Sequence, residues 1–125
     1  RATQAQRSAA IQVLFETIMS RWLTGEYVID GVESWPAFRA RVDRGLDHMV
    51  ATTCRGEHAV VVSSVGPCAV ALARAGKMEP SRAFSTAWRL FNTGVCEFVT
   101  DGDSLTLESF NSRAHLPTSR LWTHR

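Results

Sequence analysis

The stretch His58-Ala-Val-Val-Val-Ser63, followed at once by Ser64-Val-Gly-Pro67, constrains this chain more than any other. Its β-branched residues do not alternate with polar ones. A strand of that kind is stable when both faces are covered, as in a parallel sheet flanked by helices. Val60, Val61 and Val62 are therefore expected in a buried strand. Val65-Gly66-Pro67 breaks it, and Cys68 to Ala75 reads as a short apolar helix with Pro67 at its first position, where a missing N–H is harmless. Gly76 closes that helix.

The surrounding segments fit the same layered architecture. From Thr3 to Leu23, Ile11, Leu14, Phe15, Ile18, Met19 and Trp22 recur at three- and four-residue steps, one face of a helix that Thr24-Gly25 should end. Ser34 is a good N-cap, with Pro36 in the first turn, and Trp35, Phe38, Val42, Leu46 and Met49 carry a second helix to about Thr53. Pro80-Ser81 opens another short helix running to about Phe91, ended by Asn92-Thr93-Gly94. Val95 to Thr100 and Ser104 to Phe110 flank Asp101-Gly102-Asp103 and form a β-hairpin, with a loop-like tail from Asn111 onward. The order ααβααββ predicts an α/β domain, with all 125 residues in one domain.

Composition removes several classes of function. With 45% hydrophobic and 21% charged residues the chain has the makeup of a folded globular protein, not a disordered one. A chain of this size buries roughly two-thirds of its unfolded surface, enough to hold a core without disulfide or metal. The 14 basic residues exceed the 12 acidic ones by two and are interleaved with them, so there is no basic stripe of the kind that tracks a phosphate backbone, and no nucleic acid partner is expected. No apolar run approaches the ~20 residues needed to cross a bilayer, and no membrane partner is expected. Cys54, Cys68 and Cys96 are odd in number, 14 and 28 residues apart, and form no C-x-x-C pair, which fits reduced thiols in a cytoplasm. His48, His58, His115 and His124 never stand at metal-ligand spacing, so neither metal nor other cofactor is expected.

In an open parallel sheet, ligands gather at the carboxyl ends of strands, where a following helix offers free N–H groups and the positive end of its dipole. Ser63, Ser64, Val65 and Gly66 occupy that place. Gly66 lets the backbone approach closely, and the two hydroxyls can donate to phosphate oxygens. The competing reading is a tight turn with serines that merely cap the helix. It is neither a nucleophile elbow, since Val62 stands where that motif needs glycine, nor a P-loop, since no Gly-Lys-Ser/Thr follows. Other candidates have simpler accounts. Asp43, Asp47 and His48 fit a solvated helix face, and Trp22, Trp35 and Trp88 fit apolar contacts. His115 fits a loop histidine bonded to backbone. Cys68 opens a helix, where a thiol can be acidified, but no base is placed beside it.

Three blocks resemble the histidine phosphatase superfamily, the phosphoglycerate mutase-like fold. They are Glu33-Ser-Trp-Pro-Ala-Phe-Arg-Ala-Arg-Val42, Ala59-Val-Val-Val-Ser-Ser-Val-Gly66, and Asn92-Thr-Gly-Val95 continuing to Asn111-Ser-Arg-Ala-His-Leu116. The family counterparts are a Gly-Glu-Ser-like helix start, a Val-Ser-His-Gly-Gly strand end, and a closing hairpin with an Asn-x-x-x-His-Leu tail. The resemblance spans Trp22 to Leu116. It implies a three-layer α/β/α domain with a mostly parallel central sheet, and a phosphatase or mutase-like phosphoryl transfer on a phosphorylated small molecule or phosphate.

Two departures are specific. The family nucleophile is the His of an Arg-His-Gly motif, and no such tripeptide occurs in this chain. The second catalytic His falls at Ser64, with Val65 and Gly66 at the two glycines, so a branch with Ser-Gly-Gly resembles the chain more closely. In that fold the strand around Val61 is central and neighbours the strand ending in Arg-His-Gly. The chain is therefore expected to be the C-terminal portion of a longer domain, with its N-terminal strands and its nucleophile upstream of Arg1. The resemblance allows a phosphoryl-transfer enzyme or a catalytically inactive phospho-ligand or protein-binding module on the same fold.

Overall fold

The computed structural model describes residues 3–124. It contains α1 (Gln4–Leu23), α2 (Trp35–Thr52), α3 (Val65–Gly76), α4 (Pro80–Ala87), β1 (Val95–Thr100) and β2 (Leu105–Ser112), followed by a 3-10 turn at Ser119–Leu121. The chain divides into two compact units, one ending at Phe38 and one beginning at Arg39. The α/β content expected from the sequence is present.

In the first unit, local rules set both ends of α1. Thr3 and Gln6 form a reciprocal capping box, the Gln6 N–H donating to Thr3 Oγ1 at 3.3 Å and the Thr3 N–H to Gln6 Oε1 at 2.8 Å. At the other end Gly25, at φ +74°, lets the Glu26 N–H reach back to the Arg21 carbonyl at 2.9 Å, the C-terminal pattern that glycine permits without strain. The apolar stripe of α1 is not buried: Ile11, Leu14, Phe15 and Ile18 are all exposed. The order in this unit lies at its aromatic end. Trp22 meets Trp35 and Phe38 edge-on, each with ring centroids 5.5 Å apart, and its indole N–H donates to the Glu33 carbonyl at 2.9 Å. Ser34 caps α2 as its sequence position implies, its hydroxyl accepting from the Ala37 N–H at 3.4 Å.

The second unit has its core where α3, α4 and the hairpin meet. Ala69, Val70, Leu72, Ala83, Phe84 and Ala87 are essentially buried, with Leu90 and Leu105 beside them. α3 packs on both α4 and β2. Alanines at Ala69, Ala83 and Ala87 bring little bulk to the helix contact, and the large side chains buried with them are Val70, Leu72 and Phe84.

The Asp101-Gly102-Asp103 turn joins β1 to β2 in an antiparallel pair, as its sequence implies. Asp101 accepts the N–H groups of Ser104 at 2.7 Å and Asp103 at 3.0 Å, and these bonds hold its carboxyl below the usual range. β2 continues through Asn111 and Ser112, two residues past the expected end, because Ser112 still pairs with Val95.

The clearest correction concerns Val60, Val61 and Val62. They lie in an extended stretch that forms no strand, and they are 89%, 62% and 96% exposed. The only sheet among the described residues is the two-stranded antiparallel hairpin, so the expected parallel sheet is not seen. The reason is a lack of partners. The β-branched run holds the backbone extended, but among the described residues no strand lies beside it to take its N–H and C=O groups, and its valines are left largely uncovered. Exposed, unpaired backbone is readily cut. Brief trypsin treatment is expected to cleave first after Arg55, just before this stretch, which peptide mass mapping would read. First cleavage within α3 would show that the stretch is protected.

Candidate functional site

Ser63, Ser64, Val65 and Gly66 stand where the extended stretch becomes α3. The helix begins two residues earlier than the sequence implies, at Val65 rather than Pro67, because the Cys68 N–H already bonds the Ser64 carbonyl at 3.2 Å. Ser64 is the N-cap, with extended backbone at φ −123°, ψ 176°, yet its side chain makes no capping bond. Ser63 and Ser64 are exposed, whereas Val65 is 9% exposed and anchors the turn in the core.

Three consequences follow for chemistry here. Among the described residues, the Val65 and Gly66 N–H groups have no acceptor, and Pro67 has no N–H to offer. Those two donors sit at the positive end of an α3 that is 12 residues long. The Ser64 hydroxyl is not used in capping and remains available to an anion.

Cys68, on the first turn of α3, is not an acidified nucleophile. Burial pushes its thiol pKa up, and the nearby Cys96 pushes it in the same direction. The dipole is outweighed by desolvation.

The third sequence block closes on itself through Asn111, the first residue of its Asn-x-x-x-His-Leu tail, in a role the sequence does not assign. Asn111, at φ +58°, accepts the Phe91 N–H at 2.9 Å through Oδ1 and donates to the Arg89 carbonyl at 2.9 Å through Nδ2. The chain has already tightened to i−3 bonds at Arg89 and Leu90, and Asn111 then takes the Phe91 N–H that a further α turn would need, so the helix ends at Ala87 rather than near Phe91. A Cβ on Gly94 would lie 2.5 Å from Asn111 Oδ1, so glycine is required there by close approach. The clamping role of Asn111 is missed when its segment is read as a loop; the available signal was an Asn, the residue most tolerant of left-handed backbone after glycine, at the head of that motif. His115 meets a side chain rather than backbone, its Nε2 lying 3.2 Å from Thr93 Oγ1.

Asn111→Ala loses both bonds and places alanine in left-handed backbone. It is expected to destabilise the fold by about 2 kcal/mol. A shift in the urea unfolding midpoint at unchanged slope would measure it, and an unchanged midpoint would deny the clamp its role.

The remaining candidates sit apart from the α3 turn. Asp43 pairs with Arg39 at 3.6 Å, and Asp47 with Arg74 of α3 at 2.7 Å. They line an open cleft of about 660 Å³ whose walls do not include residues 63–66. Trp22 and Trp35 belong to the aromatic cluster described above, and Trp88 packs near Phe84 at 6.2 Å. No helix among the described residues is long and apolar enough to cross a membrane.

A family model, the histidine phosphatase superfamily (branch 1), matches residues 3–113. The chain belongs to the histidine phosphatase superfamily. No curated protein and no solved structure matches it. For a histidine phosphatase relative, the local geometry at residues 63–66 takes on a definite sense. Membership supports phosphoryl transfer in general terms, and a turn with two open N–H donors and an unused hydroxyl is chemically suited to a tetrahedral oxyanion.

Proposed function

We propose that this chain is the C-terminal portion of a phosphatase or phosphoglycerate mutase-like protein acting on a phosphorylated small molecule, with residues 63–66 cradling the phosphate. One observation carries the reading: at the start of α3, the Val65 and Gly66 N–H groups are unpaired and the Ser64 hydroxyl is not engaged in capping, in a member of a family that handles phosphoryl groups. In the intact enzyme, a His supplied upstream of Arg1 attacks phosphorus. The P–O ester bond breaks, the ester oxygen leaves with a proton from an acid, and water then attacks the phosphohistidine to release phosphate. The N–H groups and Ser64 stabilise charge on the non-bridging oxygens. No metal or other cofactor enters this scheme.

The same proposal extends to the architecture. The extended valine stretch becomes a central strand of a three-layer α/β/α domain once upstream strands flank it, and residues 1–125 then belong to that one domain. The three free cysteines suit a reducing compartment such as the cytoplasm.

A second reading has its own support. Serine replaces the second catalytic His and no Arg-His-Gly occurs in the chain, as in an inactive phospho-ligand or protein-binding module. Ser64→Ala in protein extended upstream of Arg1 tests the cradle itself. Because Ser64 makes no cap bond, the variant should keep its stability within about 0.5 kcal/mol. It should bind phosphate or vanadate about three- to tenfold more weakly by calorimetry, as for one lost hydrogen bond. Equal affinity in both proteins would leave Ser64 as a turn residue only.

A further inference from the structure

We draw no further inference here: the strongest candidate, the open charged cleft beside α2 and α3, has its acids Asp43 and Asp47 already paired with Arg39 and Arg74, and nothing in the structure points to a ligand there.

Discussion

Ser64→His, made in protein carrying the proposed upstream segment, is expected to raise the rate of aryl phosphate hydrolysis by roughly ten- to a hundredfold. On the proposed cradle, an imidazolium at this place would donate a charge-assisted hydrogen bond to an oxygen whose negative charge grows in the transition state. A bond of that kind contributes about 1.5–3 kcal/mol. The benefit should fall on kcat more than on KM, since it is realised mainly in the transition state. The structure also decides which variant to make. Family likeness suggests pairing Ser64→His with Val65→Gly to relieve crowding, but within residues 3–124 Ser64 is exposed and no neighbour crowds it. Val65 is only 9% exposed, so glycine there loses about 1.5 kcal/mol or more of buried side chain and adds a flexible residue to the helix. The single substitution is therefore the cleaner test. No turnover in either protein, together with no phosphate binding by calorimetry, would favour the inactive module in its protein-binding form.

Local signals were the most legible. Thr24-Gly25, Ser34 and Asp101-Gly102 each act through neighbours a few residues away, and each does what its residue type implies. Boundaries shifted where a distant residue intervened. α4 is shortened by Asn111, more than 20 residues away in sequence, and no propensity along α4 records that contact. The start of α3 moved because Pro67 fits the third helical position as well as the first: the first-turn N–H groups lack intrahelical partners in any case.

The greatest disparity is at Val60–Val62. Hydrophobic pattern reports what a segment needs to be covered by, and it cannot report whether the cover lies within the same stretch of sequence. The apolar stripe of α1 carries the same lesson, since its periodicity is helical and the helix forms, but Ile11, Leu14, Phe15 and Ile18 remain exposed. At the candidate site, the type and order of residues 63–66 were readable, but two decisive details were not. The unused Ser64 hydroxyl is a matter of side-chain geometry at the N-cap, and the raised Cys68 pKa depends on how deeply its thiol is packed.

That disparity also gives the sharpest test of the proposed architecture. In the 125-residue chain by itself Val61 is 62% exposed, so Val61→Asp should change unfolding free energy by no more than about 0.5 kcal/mol. In protein extended upstream of Arg1, the proposal puts Val61 in a central strand, where a carboxylate must be desolvated without a partner. There the same substitution should cost roughly 3 kcal/mol or more, enough to unfold many domains. Urea denaturation of the four proteins, native and substituted in both lengths, forms a cycle in which only the dependence on length matters. Val61→Thr offers a gentler companion, keeping the β-branched shape while burying one hydroxyl, in case the aspartate variant of the longer protein yields no folded material. Equal effects in the two lengths, for both substitutions, would mean that no upstream strand covers Val61. The central parallel sheet would then have to be given up, and the phosphate cradle at residues 63–66 would rest on the α3 N-terminus and family membership alone.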